Sequence, residues 1–124
     1  MIKNIVFDMG NVLLWFDRDR FLDAVGAEGE DRKILMNNVY LSVEWARMDR
    51  GSMTEAEAAA SMCTHVPERL HGKVHLLVDQ WDRPIYPVEG MAQLARDLKA
   101  AGYGIYLLSN ASYRQHEYWP RVPG

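Results

Sequence analysis

Asp8 and Ser109 are the two residues of this sequence whose types and settings could do chemistry together. Ile2, Ile5, Val6 and Phe7 form a short apolar run, β-branched and aromatic, that ends at Asp8, with Gly10 and Asn11 as turn residues just after it. Far downstream, Tyr103, Ile105, Tyr106, Leu107 and Leu108 repeat that grammar, and Ser109 and Asn110 end it. A carboxylate at the C-terminal tip of a central parallel strand points into the crevice where open α/β sheets bind ligands. Taken singly, Asp8 reads as a turn cap and Ser109–Asn110 as a helix cap. Taken together, on parallel neighbouring strands, they place a carboxylate and a hydroxyl at one pocket.

The elements that must position these tips follow from the chain between them. Asp17, flanked by Phe16 and Phe21, is a candidate N-cap for a helix from Arg18 to before Gly26. Glu30 to Tyr40 carries Ile34, Leu35 and Val39 at helical spacing, and Ser42 caps a segment through Met48 that stops at Gly51. Thr54-Glu55-Ala56-Glu57 is a capping box ahead of an alanine run. Pro67 suits the first turn of a further helix with Leu70, Val74, Leu77, Val78 and Trp81 on one side. A helix over Val88–Ala101, with Met91, Leu94, Ala95 and Leu98 as its buried stripe and Gly102 as its stop, returns the chain to the second strand. After Ser109, the segment from Ala111 to Tyr118 reads as helical, ended by Trp119-Pro120. The order strand, helical insert, helix, strand is that of a parallel crossover.

The sequence here resembles the haloacid dehalogenase-like (HAD) hydrolases. Val6-Phe7-Asp8-Met9-Gly10-Asn11-Val12-Leu13 is similar to the family's first motif, and Leu107-Leu108-Ser109-Asn110 to its second. The Asp-x-Gly-Asn-Val form, with Glu117-Tyr118-Trp119-Pro120, is most similar to a subgroup that includes phosphatases of glucose 1-phosphate. The resemblance implies an α/β fold: a Rossmann-like parallel sheet, incomplete here, over residues 1–14 and 86–124, and an all-helical cap over 15–85 inserted after the first strand. It also implies a Lys motif and a paired-acid motif after the second strand. Neither has room before Gly124, so the chain reads as an N-terminal piece of a longer protein, expected not to turn over substrate alone. The sheet would be completed by an absent C-terminal half or by partner chains in an oligomer.

By that resemblance Asp8 is the nucleophile, forming an aspartyl-phosphate. Asp8 and the Gly10 carbonyl help hold Mg²⁺, and Ser109, with the amides of Met9, Gly10 and Asn110, grips the phosphoryl oxygens. Trp15, Phe16, Arg18, Arg20, Trp45, Arg47 and Arg50 are candidates to face the substrate from the cap, although helix surface or cap core is the plainer reading of each. The sequence departs from the family where most of its phosphatases carry a second Asp as acid and base, since that position is Gly10. Losing positioned acid catalysis costs about 10²- to 10⁴-fold, least for an acidic leaving group. Hydrolysis of a small phosphorylated metabolite, foremost an anomeric sugar phosphate, is the first reading. Haloacid dehalogenation by the same Asp8 is the second, and a non-catalytic phosphate-binding or scaffold module the third.

Composition bounds these readings. The 124 residues are 48% hydrophobic and 25% charged, globular values for about one domain. The net charge of −3 leaves no electrostatic footprint for nucleic acid. No apolar run approaches the roughly 18 residues of a membrane span, and the N-terminus has no signal-peptide pattern, so a cytoplasmic location is expected. Cys63, alone in a helical stretch, reads as a small buried apolar residue. His65, His71, His75 and His116 form no metal-ligand pattern, although His71 and His75 are one helical turn apart.

Overall fold

In the computed structural model, which describes residues 1–83, 85–109 and 120, the chain divides into two compact units. One is built on residues 17–83 and is helical; the other joins 1–16 to 85–109 and contains every strand among the described residues. The expected helix after Ser109 lies outside the described residues.

In the helical unit, α1 (Arg18–Ala24) starts where Asp17 Oδ1 accepts the Arg20 N–H at 3.2 Å. α2 (Gly29–Leu35) is continued by a π-helical turn over Met36–Tyr40, so the single helix expected from Glu30 to Tyr40 is two kinds of helix in series. Asn38 supplies a reason. Its Nδ2 donates to the Ile34 carbonyl at 2.8 Å, the acceptor an α-helix reserves for the N–H of residue 38. The backbone widens, and the Leu41 N–H reaches back to the Met36 carbonyl at 3.0 Å. Arg32 of α2 ties this segment to α1, donating to Asp23 Oδ1 at 2.7 Å and Asp19 Oδ1 at 2.8 Å.

α3 (Val43–Asp49) is capped by Ser42 Oγ, which accepts the Trp45 N–H at 3.1 Å. α4 (Glu55–Cys63) opens on the expected box: Thr54 Oγ1 accepts the Glu57 N–H at 3.2 Å and Glu57 Oε2 accepts the Thr54 N–H at 3.1 Å. Pro67 does not start an α-helix. It precedes one 3₁₀ turn, Glu68–Leu70, and α5 (His71–Asp79) begins only after that, leaving Trp81 beyond the helix but still buried. The unit closes over Leu22, Leu35, Val39, Met62, Val74 and Val78, all fully buried. Each such side chain contributes about 1.5–3 kcal/mol of burial.

Three carboxylates of this unit are buried, Glu44, Glu55 and Asp82. Glu44 Oε1 accepts the Ser61 hydroxyl at 2.7 Å and stands 3.6 Å from His65 Nε2, joining α3 to α4. Burial alone would raise the Glu44 carboxyl; the Ser61 hydroxyl, a backbone N–H and the charges of His65 and Arg47 outweigh it and hold it below the usual range. A depressed folded-state pKa adds stability above the unfolded value and loses it as pH falls through the folded one. Glu44→Gln should therefore cost roughly 1–2 kcal/mol at neutral pH and lessen the loss of stability on acidification below about pH 4. Urea midpoints across the acid range measure this, and parallel curves for the two proteins would refute it.

In the other unit, β1 (Asn4–Asp8) ends at the candidate nucleophile. β2 (Leu14–Trp15) pairs antiparallel with β3 (Tyr86–Pro87), Leu14 opposite Pro87 and Trp15 opposite Tyr86, a ribbon the sequence reading did not contain. α6 (Met91–Ala100) starts three residues later than expected, after Gly90 turns the chain with φ +81°. β4 (Gly104–Leu108) then pairs parallel with β1, from Asn4 opposite Gly104 to Asp8 opposite Leu108. A Cβ on Gly104 would meet the end of the exposed Asn4 side chain, which would have to move aside.

The strand runs were expected to be buried, but only Phe7 is: Leu107, paired with it on the same face, is 44% exposed. Phe7 is 8% exposed, whereas Val6 and Tyr106, opposite one another on the other face, are each 58% exposed and Leu108 is 71%. The stripe on α6 is likewise not buried: Leu94 is 44% exposed and no residue of the helix is fully enclosed. Two strands cannot shield what a larger parallel sheet encloses on both faces. The architecture is mixed α/β with a parallel sheet and, among the described residues, six α-helices.

Candidate active site

The site is built on the C-terminal ends of β1 and β4. Because Asp8 is paired with Leu108, Ser109 follows one residue past the same end of the sheet, so the two residues singled out in sequence stand at neighbouring strand tips. Asp8 Oδ1 accepts the Met9 N–H at 2.7 Å. That bond orients the carboxylate and engages one of the amides expected to grip phosphate, so Met9 can serve a phosphoryl oxygen only once the carboxylate turns. Asn110 lies outside the described residues, as do Glu117, Tyr118 and Trp119.

The loop after Asp8 is closed by its own backbone. The Met9 carbonyl accepts the N–H groups of Leu13 and Leu14, each at 3.0 Å, and the Asn11 N–H donates to the Leu14 carbonyl at 2.6 Å. Asn11 adopts φ +59°, the one non-glycine in the left-handed region among the described residues, where Asn is among the better tolerated types. Its Oδ1 accepts the Phe16 N–H at 3.1 Å. The Val88 N–H, donating to the Leu13 carbonyl at 2.8 Å, fastens the loop to the segment beside β3. Gly10 does not have a left-handed φ, and apart from its two chain neighbours no atom of the described residues lies within 4 Å of where a Cβ would stand.

Of the other candidates, Trp15 is in β2 and 42% exposed, and Arg20 is exposed on α1. Trp45 is buried in the helical unit, edge-on to Tyr40 at 4.9 Å, with Phe21 on that ring at 6.0 Å. Cys63 is half-buried rather than buried, its Sγ 3.8 Å from His75 Nε2, and burial pushes its thiol up, away from thiolate character. His71 Nε2 lies 3.2 Å from the Val66 carbonyl, and His116 is outside the described residues. No group of three or more His, Cys, Asp or Glu among the described residues could hold a metal ion. In the helical unit, Asp49 at the end of α3 is exposed, and partial loss of hydration pushes its carboxyl up to about 6 against the pull of Arg18.

No family model and no curated protein matches the chain. A solved structure does: the crystal structure of a HAD-family enzyme from Bacteroides thetaiotaomicron, at 21% sequence identity and a TM-score of 0.61. The match takes in 94% of this chain and 57% of that one, so the chain spans little more than half the length of the enzyme it is similar to. At that identity the likeness establishes the fold. The chain has a HAD-like architecture, with an incomplete Rossmann-like core. No helix among the described residues is long and apolar enough to cross a membrane.

Proposed function

We propose that the chain carries the nucleophile half of a HAD-type hydrolase that removes phosphate from small phosphorylated metabolites such as sugar phosphates through an aspartyl-phosphate. The observation that carries the reading is the parallel register of β1 and β4, which sets Asp8 and Ser109 at adjacent strand tips. A carboxylate oxygen attacks phosphorus, and hydroxyl and amide donors stabilise the charge on the transferred group. In this role Ser109 donates to a phosphoryl oxygen, with the Gly10 and Asn110 amides beside it.

The donors available fit Mg²⁺ in part. Asp8 and the Gly10 carbonyl are oxygen ligands of the hard type this ion takes, and so few protein ligands leave it several waters. Bound there, it would neutralise charge on the phosphoryl group. Beryllofluoride with Mg²⁺ tests the reading: a ¹⁹F signal from an Asp8 adduct, lost with EDTA, is expected, and its absence would refute the phosphatase. Halide release from a 2-haloacid without metal would favour the dehalogenase.

A further inference from the structure

Asn11 makes two of the bonds that shape the loop after Asp8, and it makes them from a backbone conformation that few residues adopt. Its φ of +59° is left-handed, which Asn bears better than most residues with a Cβ, and such positions gather at functional sites. With the chain doubled back there, the Asn11 N–H reaches the Leu14 carbonyl at 2.6 Å and Oδ1 accepts the Phe16 N–H at 3.1 Å.

Closing the loop decides where Gly10 points. Every peptide bond among the described residues is trans, so each C=O is directed opposite to the N–H of the next residue. The Met9 carbonyl is turned into the loop, toward the N–H groups of Leu13 and Leu14, each at 3.0 Å, and the Gly10 N–H therefore points out of it. The Asn11 N–H is turned in, toward Leu14, and the Gly10 carbonyl therefore points out as well. This is the parallel bridge between Gly10 and Leu14, whose bonds are made by the residues on either side of Gly10. Gly10 is exposed, so one residue close to Asp8 presents a donor and an acceptor outward together.

We infer that Asn11 is a positioning residue: by holding the loop shut it aims the Gly10 amide at a phosphoryl oxygen and the Gly10 carbonyl at Mg²⁺. This rests on the phosphatase reading above, which gives Gly10 those two roles. Asn11 acts through its neighbour, because its own N–H is given to Leu14. An ion held by few protein ligands depends on the aim of each, and removing a group that orients a ligand lowers metal affinity about 10- to 100-fold. Alanine at this position loses both the tolerance for positive φ and the bond to Phe16. Glycine keeps the turn and loses the bond, and aspartate keeps both.

The test titrates Mg²⁺ into the whole chain with beryllofluoride and reads half-saturation of the ¹⁹F adduct signal, together with the shift of the Gly10 amide resonance as the adduct forms. Asn11→Ala should raise the half-saturating Mg²⁺ at least about tenfold and diminish that shift, and Asn11→Gly should raise it by a smaller factor. Asn11→Asp should restore the wild-type value, in about 0.15 M salt to screen its added charge. Thermal midpoints without ligand are read alongside. Variants that lose stability but keep the wild-type Mg²⁺ dependence and Gly10 shift would make Asn11 a structural residue only and overturn the inference. Should Asn11→Ala not fold, Asn11→Gly decides alone, and a wild-type half-saturation there overturns it too. In either case the phosphatase reading stands. If the wild type forms no adduct, that reading fails first and takes this one with it.

Discussion

Asp8→Asn should abolish the beryllofluoride adduct and reduce any burst from an activated phosphate ester on the order of 10⁴- to 10⁶-fold, with the fold intact. The size follows from the role: when the atom that forms the covalent bond is removed, only binding and electrostatic stabilisation remain. Folding should be spared because Asp8 is exposed and its bond within the chain is to the adjacent Met9 N–H, which the amide oxygen of Asn can accept. Ser109→Ala should act differently, removing a donor rather than the nucleophile, at a cost of about 10²- to 10³-fold. Circular dichroism fixes the fold, and quench-flow with the ¹⁹F signal reads the chemistry. An Asp8→Asn protein that still traps beryllofluoride would place the nucleophile elsewhere.

Leu35→Ala should destabilise the helical unit by about 2–5 kcal/mol, a large share of the roughly 5–15 kcal/mol available to a domain. Leu35 is fully enclosed at the junction of α2 and the π-helical turn, where neighbours held on both sides cannot readily collapse into the space left behind. Leu94→Ala on α6 is the matching control. The same atoms are removed from a side chain 44% exposed, and the change should stay within about 1 kcal/mol. Urea unfolding followed by helical ellipticity measures both, and equal losses would mean that the two positions are equally packed.

The parts of the fold legible in the sequence were those fixed by local chemistry. Asp17, Ser42 and Thr54 cap the helices where their side chains led one to expect, because a cap is a contact between residues two or three apart. The strand tips were legible for a similar reason, since an apolar run ending in polar residues records where a chain leaves an interior. The π-helical turn was not, because Ile34, Leu35 and Val39 fit either helix and Asn38 decides between them by a bond that spacing does not show. The β2–β3 ribbon pairs two residues with two across most of the chain, too short for periodicity to register. Burial of the strands was overstated: an apolar sequence reports what a surface is suited to meet, and the Val6 and Tyr106 side chains have not met it. At the site, the freedom of Gly10 depends on atoms around an absent side chain, and in the helical unit the raised carboxyl of Asp49 depends on its three-dimensional surroundings.

Enclosed apolar side chains are shared unevenly between the two units. Among the described residues, only Phe7 and Ile85 of the buried apolar set belong to the segments 1–16 and 85–109. The tips at Asp8 and Ser109 thus stand on the unit with the smaller interior of its own among the described residues, where backbone opening is cheaper. An anion lodged between them would act as a removable keystone, adding about 2.7 kcal/mol at a hundred times its dissociation constant. Saturating phosphate with Mg²⁺ should slow amide exchange across 4–16 and 104–109 and leave 17–83 as it was; uniform protection, or none, would mean that the keystone does not seat there.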